Sequence, residues 1–214
     1  TLWELLGDPV AGLDWVGALL NARGRVLPMA LEPLVIQGIV LREHGGAFER
    51  VQVRGQVNLA HEPQVHNIEL VPAQARACPE ALASIEEADW VVLGPGSWRT
   101  SVLPHLLLRE QREALSTTNA KRCVVMNLAL DDKESNGLDA AAHLKLLQQY
   151  APNLRLDVVI ADPSNMGVQS EFEDAARELG AKVLWASVRS TTNPNVHDPL
   201  KLASAYNDMF AMRL

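Results

Sequence analysis

From Asp8 onward, Val10, Leu13, Val16, Leu19 and Leu20 recur at helical spacing, with Asp8 placed as an N-cap and Pro9 at the first helical position. Gly24 is expected to stop this helix, and Arg25 to Met29 reads as a short strand. Between residues 33 and 71 the pattern alternates. Pro33 to Glu43 reads as a strand and His44-Gly45-Gly46 as a turn. The alternation resumes in Phe48 to Val57 and again in Gln64 to Pro72, so this stretch predicts a small antiparallel meander. After Cys78-Pro79 the period changes. Pro79 to Ala88, residues 109–117, Leu138 to Tyr150, Ser170 to Gly180 and Asp198 to Phe210 read as helices. Unbroken apolar runs near 90–94, 123–128, 157–162 and 182–186 read as buried strands. Strands that alternate with helices predict a parallel sheet covered on both faces. Residues 1–214 read as one α/β domain with 33–71 as an antiparallel insertion.

Composition narrows the function classes. Hydrophobic content is 48% and charged content 21%, ordinary for a globular protein, and the net charge of -7 argues against a chain that wraps nucleic acid or lies on anionic lipid. No apolar run approaches the roughly 18 residues of a membrane span. Cys78 and Cys123 lack metal-ligand spacing, and Cys123 sits in an apolar run. A buried free thiol is favoured there over a disulfide, which fits a reducing compartment, and with no basic-then-apolar leader the cytoplasm is expected.

Chemistry concentrates where the apolar run Trp90 to Leu93 empties into Gly94-Pro95-Gly96-Ser97, followed by Arg99, Thr100 and Ser101. In open parallel sheets ligands lie beyond the carboxyl ends of strands. Glycines there let backbone amides approach an anion, with Gly96 expected to be the least tolerant of a side chain, and Ser97, Thr100 and Ser101 add hydroxyl donors. Arg99 adds a planar fork suited to phosphate. Diphosphate recognition is one reading; a tight strand-to-helix turn with surface hydroxyls is the other. Asn127, at the next strand end, could read a ligand or tie two loops together. Asp131, Asp132 and Glu134 resemble metal ligands but read better as a solvated loop, and Ser135 and Asp139 as capping residues. Arg23 and Arg25 flank Gly24 and could hold phosphate, face solvent or pair with acids. His143 fits a core or surface position. His197-Asp198 could be an acid–base pair, although Asp198 already serves as a helix cap. No nucleophile–base spacing stands out, and no motif asks for a cofactor or a resident metal.

The segments ADWVVLGPGSWRTSVLPHLL and RGRVLP, the Asn127-Leu128 strand end followed by Glu134 and Gly137, His143 in the next helix and the closing HDPLKLA together resemble the gluconeogenesis factor family. That family is related to 2-phospho-L-lactate transferase, an enzyme of deazaflavin coenzyme biosynthesis. The resemblance covers nearly the whole chain and is nearest to the actinobacterial branch, through Trp98 and the HDPLKLA ending. It implies a Rossmann-like three-layer α/β fold and a nucleotide-type ligand held near Gly94, Pro95, Gly96, Ser97, Thr100, Ser101, Asn127 and Arg25. In the bacterial branch the implied ligand is a UDP-sugar such as UDP-N-acetylglucosamine. The implied role is control of cell-wall precursor supply and cell shape during gluconeogenic growth, without turnover. The transferase branch instead moves a phospholactyl group from a guanosine diphosphate donor to a deazaflavin. A third possibility is an interaction module with an idle pocket. Members begin with a glycine-rich loop and a later Asp-Asp-Gly-Gly segment, and this chain is expected to start downstream of both. The usual Pro-Gly-Glu-Thr is Asp132-Lys133-Glu134-Ser135 here, and Arg99 departs from the family's usual apolar or aromatic residue.

Thr1 opens within an amphipathic pattern, so an apolar sheet edge or face is expected to be exposed and covered by self-association. Sedimentation at tens of micromolar (roughly the range where weak association shows) should find a dimer or larger homo-oligomer; a clean monomer would count against this.

Overall fold

A computed structural model describes residues 5–62, 65–128, 139–165 and 167–213. The candidate metal ligands Asp131, Asp132 and Glu134, with Ser135 and Gly137, lie outside the described residues.

The chain opens with α1 (Pro9–Leu19), capped by the Asp8 carboxylate, which accepts from the amides of Val10 and Ala11. The helix ends before Gly24, and Asn21 takes the left-handed position (φ 50°) instead. Of its apolar positions only Val10 is buried, while Leu19 and Leu20 are 73% and 74% exposed. Arg25 to Met29 is not a strand; just beyond it Ala30 forms an isolated bridge with Ala77. Proline at 28 removes one donor that a ladder would need.

Three antiparallel strands follow: β1 (Val35–His44), β2 (Ala47–Arg54) and β3 (Val65–Val71). Their order is β2-β1-β3, so β3 pairs with β1 and the sheet is not a simple meander. The cause is a short helix, α2 (Gln56–Ala60), where the alternating pattern had suggested more strand. Leu59 in α2 is fully buried, and it packs on β1 at Gly38, where an added Cβ would lie 2.4 Å from the Val65 side chain and 3.2 Å from that of Leu59. The β1–β3 register shifts at this same point.

The second sheet is parallel, ordered β4 (Trp90–Leu93), β5 (Lys121–Val125), β6 (Val158–Ala161), β7 (Lys182–Trp185). Its helices are α3 (Pro79–Glu87), α4 (Leu103–Leu107), α5 (Arg109–Thr117), α6 (Ala140–Tyr150), α7 (Gln169–Glu178) and α8 (Pro199–Ala211). Strand alternation sorts the side chains into two cores. Leu93, Val124 and Val159 join α4, α6 and α7 through Leu106, Leu144 and Phe172. Cys123, Val125, Val158 and Ile160 meet Ala205 and Met209 of α8 on the other face. This is the Rossmann-like α/β arrangement with a small antiparallel sheet. Both cysteines are free and buried, and burial pushes the Cys123 thiol up to about 12.

The apolar run of β4 predicts a buried strand, yet among the described residues β4 pairs with β5 alone and Val92 is 39% exposed. Burial on both faces belongs to β6, where all four residues are shielded.

Gly94 closes β4 with φ 75°, and a Cβ there would stand 2.9 Å from the Val125 carbonyl oxygen. That neighbour is backbone of the adjacent strand and cannot give way, so the tightest steric limit in this loop falls on Gly94. Gly94→Ala should destabilise the fold by about 2 kcal/mol or more, combining the left-handed penalty with the clash. Gly24→Ala, with open space around it, should be close to neutral. Urea denaturation of the two variants checks this, and equal midpoints would refute it.

Candidate functional site

Beyond the carboxyl ends of β4 and β5 the chain builds an open cleft of about 490 Å³. One wall is Pro95, Gly96 and Ser97; the floor is Asn127 and Leu128; the far wall is Asn195, Val196 and His197 from the β7–α8 loop.

The first wall is rigid for identifiable reasons. The Asn127 amide clamps the Gly96 peptide from both sides, accepting from its N–H at 3.0 Å and donating to its carbonyl at 2.9 Å. Asn127 therefore ties two strand ends together, and the Gly96 amide is engaged. An added Cβ at Gly96 (φ 157°) would meet the Ser101 Cβ at 3.3 Å. Ser97 then caps a π-type turn, Trp98–Val102, that runs straight into α4; this stretch had read as loop. The Ser97 hydroxyl oxygen accepts from the Thr100 amide at 3.2 Å and from the Thr100 hydroxyl at 2.7 Å. Its own proton stays available to donate. Trp98 is 4% exposed and meets the His143 ring edge-on at 5.3 Å, with His143 buried in the core. Arg99 is buried as well and donates to the Glu62 carbonyl at 2.6 Å. Its guanidinium thus ties the loop to the antiparallel insertion, and it is not placed as a phosphate fork.

The far wall hangs on Arg189. Its guanidinium donates to Asp162 at 3.2 Å, to the Pro194 carbonyl at 2.7 Å and to the Leu128 carbonyl at 2.6 Å. Asp162, 2% exposed at the end of β6, also accepts from the Ser164 amide and hydroxyl and from the Val188 amide at 3.0 Å. Burial pushes the Asp162 carboxyl up, but the Ser164, Val188 and Arg189 hydrogen bonds outweigh it and hold the group below its ordinary 3.8.

The expected site residues divide between two cavities. Pro95, Gly96, Ser97 and Asn127 line the cleft, while Arg25, Gly94 and Ser101 line a second groove of about 510 Å³ beside the free edge of β4. Arg25 is paired there with Asp14 through two hydrogen bonds of 2.8 Å. Thr100 lines neither cavity and donates its hydroxyl to Ser97. Asp139 and Asp198 cap helices, and Asp198 accepts from the amides of Leu200 and Lys201, so the His197-Asp198 dyad is not formed. Among the described residues no group of His, Cys, Asp or Glu gathers as a metal site.

The sequence profile described as 2-phospho-L-lactate transferase CofD matches residues 1–189. The chain belongs to the CofD family. Similar proteins include a Mycobacterium tuberculosis protein that carries the gluconeogenesis factor name, 38% identical over 98% of this chain and 62% of its own length. The gluconeogenesis factor of Bacillus subtilis is 27% identical over 96% of this chain and 68% of its own. The chain spans about three-fifths of the length of its mycobacterial relatives. A UPF0052-family protein from Bacillus halodurans shares the fold, with a TM-score of 0.78, 23% identity, and coverage of 95% of this chain and 68% of that one. No helix among the described residues is long and apolar enough to cross a membrane.

Within this CofD-family domain the sequence reading passed over Arg189 and Asp162. Their partners lie 27 residues apart along the chain, and no local pattern marks them. The Asp162 carboxylate contributes stability that is complete above its unfolded value near 3.8 and is lost as pH falls through its lower folded value. Asp162→Asn should therefore flatten the acid limb of the stability profile below about pH 4. Urea midpoints measured from roughly pH 5 to pH 3 test this, and parallel limbs for parent and variant would contradict it.

Proposed function

We propose that this chain binds a nucleotide sugar of the UDP-sugar class, such as UDP-N-acetylglucosamine, in the cleft above β4 and β5. We propose further that it acts as a regulator of cell-wall precursor supply and cell shape during gluconeogenic growth, in the cytoplasm, without turnover. The observation that carries the reading is the Ser97 hydroxyl, which accepts twice from Thr100 and so offers its proton to the cleft from a turn anchored by Trp98. A fixed donor at the carboxyl end of a parallel strand suits a diphosphate oxygen. The cleft volume of about 490 Å³ falls in the range of small-molecule sites. Gly94, Ser101 and Arg25 would meet a ligand that extends into the neighbouring groove. The name carried by the mycobacterial and Bacillus relatives supports the same role.

A second reading has its own support in the family match, which bears a transferase's description: a phospholactyl transfer from a guanosine diphosphate donor to a deazaflavin. Self-association through the exposed β4 edge or the uncovered side of α1 accompanies either reading as a proposal.

Thermal-shift titration separates the two. Stabilisation by UDP-N-acetylglucosamine is the expected result; stabilisation by GDP with a deazaflavin would favour the transferase, and silence with all three would favour an idle pocket. Calorimetry on Ser97→Ala should show UDP-sugar binding weaker by about 1 kcal/mol, or about 2–3 kcal/mol if the partner is a charged phosphate oxygen. Unchanged affinity in a folded variant would remove Ser97 from the site.

A further inference from the structure

The far wall of the cleft is an exposed loop. Thr191 to Val196 all face solvent, so apolar burial does not hold their course, and a loop of this kind is ordinarily mobile. Its own contacts are local. The Ser190 amide donates to the Val196 carbonyl at 2.9 Å, the Val196 amide to the Asn193 carbonyl at 3.1 Å, and the Asn195 amide to the Asn193 side chain at 3.1 Å. These bonds set the loop's shape but not its place over the cleft floor. Arg189 sets that place. Its guanidinium reaches the Pro194 carbonyl within the loop and the Leu128 carbonyl in the floor. The residue is itself held on two sides: its Nε donates to the buried Asp162, and its carbonyl accepts from the Lys201 ammonium at 2.8 Å. Leu128 follows Asn127, whose amide clamps Gly96. The two walls are therefore linked through the floor, from Gly96 to Pro194.

We propose that Arg189 is a positioning residue of this cleft: it holds the β7–α8 loop in the binding arrangement before the ligand arrives. The assignment rests on the nucleotide-sugar reading and goes beyond it by naming what keeps the site preformed. The fork geometry of the side chain is what the role requires. Its three nitrogens meet three acceptors, a carboxylate oxygen and two backbone carbonyls, from three separate segments. A lysine ammonium keeps the charge beside Asp162, but it is a point donor on a flexible stem and does not span all three. Without the fork the exposed loop samples other positions, and apparent affinity falls with the fraction of molecules that hold it in place.

Calorimetry with UDP-N-acetylglucosamine and amide hydrogen exchange, on the parent and on Arg189→Lys, test the assignment. Arg189→Lys should bind about tenfold or more weakly, the loss expected when the loop is in place about a tenth of the time or less. In the ligand-free variant the Ser190 and Val196 amides should exchange about tenfold or more faster than in the parent, and saturation with the nucleotide sugar should restore much of their protection. The amides of β6, which lies between β5 and β7 in the sheet, should keep theirs. Equal affinity of parent and variant overturns the assignment. A loss of affinity with unchanged exchange at Ser190 and Val196 overturns it too, because Arg189 would then act without moving the loop. Loss of protection shared equally with β6 makes the residue one that stabilises the whole fold, and overturns it as well. In the parent, the Ser190 and Val196 amides should already be protected without ligand and gain little on saturation; free exchange there sinks the assignment even if the variant fails to fold. If the parent binds no UDP-sugar at all, the function proposed above falls and this assignment falls with it, whereas binding that Arg189→Lys leaves unchanged sinks the assignment alone.

Discussion

The two-way pairing between the Gly96 peptide and the Asn127 amide is the contact on which the geometry of the strand ends depends. It joins the loops leaving β4 and β5 at the level where the parallel ladder stops, with both backbone groups of Gly96 satisfied by one side chain. Two hydrogen bonds to a single planar amide fix orientation as well as distance. Gly94 makes this possible by letting β4 turn where a Cβ would come within 2.9 Å of the Val125 carbonyl oxygen.

Everything downstream on that wall inherits its position from this contact and from the burial of Trp98. The π-type turn places Trp98, Arg99 and Val102 inside and the Ser97–Thr100 hydroxyl pair at the surface. Burying an arginine is tolerated because its guanidinium reaches the Glu62 carbonyl, which also makes the antiparallel insertion a support for the cleft. The far wall follows the same logic with different chemistry. There a buried carboxylate, Asp162, and a guanidinium, Arg189, bind backbone from three separate segments. Such a pair is retained for positioning more readily than for net stability, since desolvation offsets much of the Coulombic gain.

Among the described residues β4 lies at the edge of the parallel sheet, and Leu19 and Leu20 at the end of α1 are exposed. An unpaired parallel edge with an exposed valine is a template for further pairing. The groove beside it is lined by Arg25, Gly94 and Ser101.

The sequence by itself determined the element types wherever periodicity was strong. The buried runs of β5 and β6, the Asp8, Asp139 and Asp198 caps, the His44-Gly45-Gly46 turn and the switch to parallel α/β order at Pro79 were all legible, because each depends on residues near one another in the chain. It also singled out the Gly94–Ser101 loop and Asn127, and the structure places Pro95, Gly96, Ser97 and Asn127 along one cleft. Only the tertiary structure decided that β3 lies beside β1, since the α2 helix and the close contact at Gly38 act across the sheet. The same holds for the fates of Arg99 and Arg25. A guanidinium carries no local sign of its partner, and Glu62 and Asp14 are met only after folding. Arg189 and Asp162 were illegible for the same reason: their roles are set by contacts between loops from different strands, and long-range hydrogen bonding leaves no period in the sequence.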